Sequence, residues 1–510
     1  MTRKTIFILV LIAGITGCRN QLETEPIVLS ELTIADIHKA YEEGSFTAEQ
    51  LTRAYLNRIT AFDGQINSIT SINKEAILIA KQLDAEYKKT GKLRPLHGIP
   101  MVVKDNINTS GMPTTAGSYA LQDFLPENDA PIIARLVDAG AIILAKSNMA
   151  EWAFSPMHTE SSTHGTTRNP YNPNHVPAGS SGGTASAIAS NFGAVGLGTD
   201  TGNSIRGPSA HCALVGFRTT LGLISRSGIV PLFLRNDVVG PMCRTVEDAT
   251  RVMEVMAGFD SEDPLTRHSQ GRALSDYQQF LDKNGLRGAR IGVLRELSDY
   301  NIDPEVKALF EQAILDLESL GAEIIDPLDI PGFSSLRQNQ WCATFREDLE
   351  SFLQIHVKRD TIGSLEDIIS VGSDSRFSMD RLTEYVNQTG RWGDPKVECG
   401  DAYVDPKRIA FRQAIESVMD SLYIDAIVYP SWNHKPARIA FFEEEYKGDN
   451  SQVISPHTGQ PAFTVPMGYT SGNLPAGLQF LGRIFDEPTL IRLAYAYEQG
   501  TKHRKPPLLE

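Results

Sequence analysis

Apolar residues first recur at helical spacing behind Thr47-Ala48-Glu49-Gln50, where Leu51, Ala54, Tyr55 and Ile59 fall on one face. A threonine followed three residues later by glutamine is a capping-box signature, so a helix is predicted to start there. A helix-then-strand unit follows from Asp129. That residue is placed to cap, Pro131 suits a first turn, and Ile133, Leu136 and Val137 share a face. Gly140 can then end the helix in the left-handed region. Residues 141–145 are continuously apolar, the mark of a strand buried on both sides. Residues 99–103 read the same way and run directly into Lys104.

Farther along, the pattern predicts a strand over 289–294, a helix over 304–320, strands over 425–429, 462–465 and 477–481, and a closing helix over 487–499. Strands and helices alternate, which predicts an α/β layered fold. Residues 333–403 carry mixed helical patterns and little strand signal, and are expected to form a helical insertion over a site.

The beginning of the chain follows a different pattern. Arg3 and Lys4 precede an apolar run from Ile6 to Ile15 that is too short to span a bilayer, and Ile15-Thr16-Gly17-Cys18 follows. Small residues before a cysteine at this point resemble the bacterial lipobox. Residues 1–17 are therefore expected to be a lipoprotein signal peptide, with Cys18 the lipidated residue and 18–29 a polar tether. The protein is expected in the bacterial cell envelope, on the membrane through that lipid anchor only. An ordinary secretory signal with an incidental cysteine is the plainer reading.

With 510 residues, 41% of them hydrophobic, the chain can bury a large core, and its length alone suggests two or three domains. A formal net charge of -14 argues against a nucleic-acid partner. Cys212, Cys243, Cys342 and Cys399 show no CxxC spacing. Small buried hydrophobes are their default role, although an exported protein could pair them. His158 and His164 fit no common zinc pattern, so no metal site is expected.

The glycine-rich centre carries the chemistry. Gly179-Ser180-Ser181-Gly182-Gly183 opens a helix of small residues over 184–190 that Gly193 can end, and 194–198 reads as a strand. About ten helical residues travel roughly 15 Å, and about five strand residues return roughly 16 Å. A strand running back beside the helix would bring Ser204 next to Ser180. A serine hydroxyl needs a base and donors for the oxyanion its attack creates. A lysine is a base only where burial favours its neutral form.

Rival motifs are weaker. The loop has no lysine before Thr184, as a Walker loop would need. Ser71-Ile72-Asn73-Lys74 and Lys89-Thr90-Gly91 match penicillin-binding enzymes by letters but sit within one helical-looking stretch. His97, His158, His164, His175 and His211 could supply a histidine base, but Ser204 lacks the G-x-S-x-G elbow.

With those residues in view, the chain resembles the amidase signature family. The matching stretches are Gly98-Ile99-Pro100-Met101-Val102-Val103-Lys104-Asp105-Asn106, the segment from Gly140 to Met149, and Gly179-Ser180-Ser181-Gly182-Gly183. They continue with Gly198-Thr199-Asp200-Thr201-Gly202-Asn203-Ser204-Ile205-Arg206, Gly240-Pro241-Met242-Cys243-Arg244-Thr245-Val246 and Pro475-Ala476-Gly477-Leu478-Gln479-Phe480-Leu481-Gly482-Arg483. The resemblance implies a single large domain over 30–510, in which helices cover both sides of a mixed central β-sheet.

It also implies a Ser-Ser-Lys triad: Ser204 as acylated nucleophile, Ser180 as bridging serine behind a cis peptide bond, and Lys104 as base. Thr201, Gly202 and Asn203 would offer backbone N–H groups to the oxyanion. Ser181, Asp200 and Arg206 would support the site, Ser181 by bonding within its loop. No metal or organic cofactor is implied. Members commonly carry glycine where this chain has Asn203, which puts donor geometry and specificity in question.

The activity expected is hydrolysis of a carboxylic amide, with a small-molecule or peptide amide as substrate and the peptide-amidase-like members as the nearest pattern. Alternatives are a glutaminase-type subunit of a tRNA-dependent amidotransferase, which export opposes, and a silent lipid-anchored binding homologue. Trp152, Phe154 and Met157 are candidate pocket linings.

Overall fold

The computed structural model describes residues 27–387 and 399–509. The expected signal peptide and Cys18 lie outside them. The chain builds one 11-stranded sheet and a small hairpin. In chain order the strands are β1 (Ile69–Ile72), β2 (Pro100–Lys104), β3 (Ile142–Ser147), the hairpin pair β4 (Glu160–Ser161) and β5 (Gly165–Thr166), β6 (Val195–Asp200), β7 (Val215–Arg218) and β8 (Val238–Cys243). They continue with β9 (Arg290–Val293), β10 (Glu323–Ile325), β11 (Ala426–Pro430), β12 (Ala462–Thr470) and β13 (Leu474–Leu481). The large sheet runs β1-β3-β2-β6-β8-β7-β12-β13-β11-β9-β10.

The sheet is mixed. β2 runs parallel to both β3 and β6, whereas β8, β7, β12 and β13 are joined by antiparallel pairings. Strands β2, β3, β6, β7 and β8 are buried at every position. Both faces of the central sheet are therefore covered, which is why these strands read as unbroken apolar or small-residue runs.

The helix at Ala48–Ile66 carries the expected capping box between Thr47 and Gln50, and buries Leu51, Tyr55 and Ile59. Three local expectations are corrected. Asp129 does not cap the helix Pro131–Asp138; its carboxylate accepts from the Ser110 N–H instead, and Ile132 replaces Val137 on the buried face. The helix Gly182–Ala189 is ended by Asn191 at φ 57°, not by Gly193. Gly193 serves close packing: a Cβ there would lie 2.8 Å from Val102.

Between 333 and 387 the regular elements are all helices, including Phe345–Phe352, Leu365–Val371 and Arg376–Asn387, joined by turns. Phe345, Leu349, Phe352, Leu365 and Leu382 form an apolar cluster of their own with Trp152, Phe154 and Phe233. This cluster stands apart from the main core, so the helices form one wall of a pocket rather than another layer on the sheet. Cys342 and Cys399 are joined as a disulfide, and Cys212 and Cys243 are free and buried. No described helix is long and apolar enough to cross a membrane.

Candidate active site

Lys104 is the last residue of β2, and no part of it reaches solvent. Its Nζ donates to Ser180 Oγ at 2.7 Å and to Thr199 Oγ1 at 2.7 Å. Burial lowers its pKa from 10.5 to about 7, against the opposing pull of Asp200 and Asp237. Desolvation disfavours the ammonium, so a neutral amine is accessible near neutral pH.

Ser180 follows a cis peptide bond from Gly179. The loop is glycine-rich because backbone presses against it. A Cβ on Gly179 would meet the His158 carbonyl oxygen at 2.3 Å, and one on Gly183 would meet that of Asn148 at 2.0 Å. Ser181 does not bond within the loop as expected. Its Oγ donates to the Thr199 carbonyl at 3.1 Å and accepts from the Thr199 N–H at 3.3 Å. It therefore clamps the loop to β6, and the helix-and-return-strand geometry expected from the spacing brings the two segments together.

Beyond β6 the chain turns through Thr201, Gly202 and Asn203 to Ser204. Asp200 organises this turn. Its carboxylate accepts from the Ile205 N–H at 3.1 Å, from Arg206 Nε at 3.1 Å and from Arg218 Nη1 at 2.7 Å. Burial alone would raise the pKa of Asp200, but the two guanidinium groups hold it down at about 2. A buried carboxylate with this many donors is satisfied, whereas losing one cation would leave charge uncompensated.

Arg206 Nη2 also donates to the Gly202 carbonyl at 2.7 Å. The carbonyl and the following N–H point in opposite directions across a trans peptide. Tying Gly202 O to Arg206 thus turns the Asn203 N–H the other way. The N–H groups of Thr201, Gly202 and Asn203 make no hydrogen bond to another described residue. They are free to receive an anion. The Asn203 side chain donates to the Pro156 carbonyl at 3.3 Å, which ties the turn to the pocket wall.

Ser204 is 4% exposed and lines a cavity of about 420 Å³ together with all three turn residues. Its Oγ has no hydrogen-bond partner among the described residues. The structure therefore joins Lys104 to Ser180 directly and leaves the Ser204 hydroxyl unengaged. Phe154 and Met157 line the cavity as expected. Trp152 does not. It is buried in the neighbouring apolar cluster, edge-on to Phe345.

None of the candidate histidines lines the cavity that holds Ser204. His97 Nε2 lies 3.1 Å from the Leu83 carbonyl, His158 Nδ1 lies 2.7 Å from Ser155 Oγ, and His211 packs on Trp432. Burial depresses His158 to about 4 and His211 to about 3. Lys89-Thr90 ends a helix and is not on a strand. Among the described residues no group of three or more His, Cys, Asp or Glu side chains could hold a metal ion.

A family model described as Amidase matches residues 50–491. The chain belongs to the amidase signature family. This amidase superposes on the peptide amidase of Stenotrophomonas maltophilia with a TM-score of 0.82 and 36% identity, covering 94% of this chain and 99% of that one. A probable amidase of Arabidopsis thaliana is 33% identical over 491 residues, or 94% of this chain and 92% of that protein. A glutamyl-tRNA(Gln) amidotransferase component of Alkaliphilus metalliredigens is 33% identical over 489 residues, or 92% and 96% respectively. The protein is thus an amidase signature hydrolase with the mixed-sheet α/β fold of its relatives.

Thr199 was not legible as a partner of the buried amine in this amidase, although it stands within the signature block. The clue was its place in the signature block, one residue before the end of β6. Thr199 Oγ1 also accepts from Asn106 Nδ2 at 3.1 Å. Thr199→Val removes an acceptor that favours the ammonium form, so the acid limb of the rate profile is expected to move to lower pH. Stability should fall by about 1–3 kcal/mol, because buried donors lose their partner. A pH–rate series and a urea titration measure both, and an unmoved acid limb contradicts the assignment.

Proposed function

We propose that this amidase cleaves the C–N bond of carboxylic amides, with peptide amides as the principal class, through Lys104, Ser180 and Ser204. The observation that carries the reading is the fully buried Lys104 amine, lowered to about 7 and 2.7 Å from Ser180. Neutral Lys104 takes the Ser180 proton while Ser180 takes the Ser204 proton. Ser204 Oγ then bonds to the carbonyl carbon, and the oxyanion is received by the N–H groups of Thr201, Gly202 and Asn203.

The C–N bond breaks as the leaving nitrogen receives a proton through the same relay. Water next attacks the acyl-enzyme, gives up a proton to the relay, and Ser204 is restored. The relay requires the Ser204 hydroxyl to turn toward Ser180. Catalytic hydrogen bonds commonly tighten only with substrate bound.

Two features support a peptide-amide substrate. One is the similarity to a peptide amidase along the whole fold. The other is the pocket wall, where Phe154, Met157, Phe233, Trp341, Phe377 and Tyr385 suit an apolar side chain on the acyl half.

Export on a lipidated Cys18 is part of the same proposal. It rests on the basic start, the short apolar run and the small residues before Cys18, and the Cys342–Cys399 pair suits an oxidising compartment. Export also opposes a role within an amidotransferase complex.

A panel of peptide amides, simple amides, esters and ureas tests the substrate class, with peptide amides expected to give the highest kcat/KM. Preference for a urea or a free glutamine side chain would overturn it. Cys18→Ser should move activity from the membrane fraction to the soluble one, and activity that stays with the membrane would count against the anchor.

A further inference from the structure

The pocket wall facing Ser204 carries one amide whose orientation is dictated from behind. Gln452 Nε2 donates to the Tyr446 hydroxyl at 2.5 Å and to Asp449 Oδ2 at 2.8 Å. Both amide hydrogens are thereby used. Turning the amide over would set Oε1 against the Asp449 carboxylate, acceptor against acceptor, once that group is ionised, which burial delays to about pH 7. The Gln452 carbonyl is left as the free end. Among the described residues Oε1 has no hydrogen-bond partner, and it is not among the buried unpaired atoms. It therefore opens onto the cavity that Gln452 lines with Ser204.

Its position relative to the turn is informative. A Cβ built on Gly202 would lie 3.2 Å from Gln452 Oε1 and 3.1 Å from Trp341. This acceptor thus stands beside the residues offered to the oxyanion. The leaving nitrogen has to face Ser180, which is tied to Lys104 next to Thr199. Gln452 meets the turn at Gly202 instead, and it lines the cavity whose apolar wall of Phe154, Met157 and Tyr385 is assigned above to the acyl half.

We propose that Gln452 is a specificity-determining residue whose oriented carbonyl accepts a hydrogen bond from the N–H on the α-carbon of the acyl group. The inference rests on the amide-hydrolase reading above and narrows its substrate class to N-acylated α-amino amides, as against simple carboxamides. A site built around a fixed acceptor discriminates against analogues lacking the donor, because the acceptor is then left unpaired on closure.

The test compares N-acetyl-phenylalanine amide with 3-phenylpropanamide, which keeps the ring and the scissile amide but lacks the α-N–H. Gln452→Leu and Gln452→Met remove the acceptor at similar volume. Each is expected to lower kcat/KM for the first substrate about tenfold, equivalent to about 1.4 kcal/mol, and to leave the second within about twofold. Labelling of Ser204 by a fluorophosphonate at the wild-type rate shows that the site is still assembled. Equal losses on the two amides, or no loss on either, would overturn the assignment of Gln452. A wild-type enzyme inert toward both amides would instead remove the functional reading on which it depends.

Discussion

Ser204→Ala is expected to lower kcat by about 10⁴-fold or more, since removing a nucleophile abolishes the covalent route and leaves only binding and oxyanion stabilisation. Covalent labelling by a fluorophosphonate should vanish in the same variant. Ser180→Ala should keep Ser204 in place but interrupt the relay, for a loss of about 10²–10⁴-fold in kcat. Steady-state kinetics and intact-protein mass spectrometry after labelling measure these effects. A Ser204→Ala enzyme retaining even a tenth of the wild-type rate would show that the pocket serine is a bystander.

The second large effect concerns Lys104 and its protons. The reactive form is the free amine, so kcat/KM should rise with pH as a single group of pKa about 7 loses its proton. Lys104→Met should remove that limb and about 10²–10⁴-fold of the rate. The same group affects stability in a defined direction. Its folded pKa of about 7 lies below the ordinary 10.5, so between those values the unfolded chain holds more protons. Stability from this residue therefore increases as pH rises from about 7 toward 10.5, and the gain is absent below 7. Lys104→Met should flatten that rise in urea titrations across the alkaline range. A wild-type acid limb near pH 5, or an unaltered alkaline stability slope in the variant, would contradict a depressed lysine.

Much of the layered fold was legible because its central strands are buried on both faces. The run from Ile99 to Val103 had to be a covered strand, and its end had to bury Lys104 or bend away. The capping box at Thr47 was legible because it is a local bond between residues three apart. Asp129 misled for a related reason. A cap is one of several uses for a carboxylate beside a turn, and the Ser110 N–H, far off in sequence, competed for it successfully. Trp152 misled because a large aromatic fits a pocket wall and a core cluster equally well, and only the packing of the helix Phe345–Phe352 decides.

The reagents proposed here were named from the chain: Lys104, the Ser180-Ser181 pair in a loop that tolerates no side chain on its glycines, and a serine following an acidic strand end. Local pattern determines such things, because strand burial, glycine requirement and helix starts depend on neighbours within a few residues. Which hydroxyl the lysine touches, that Thr199 shares it, that Ser181 clamps a strand, and that Gln452 lines the cavity of Ser204 depended on segments more than 50 residues apart in three of those cases. Hydrogen bonds and desolvation act over a few ångströms in space, so pairings between distant segments were decided by tertiary packing alone.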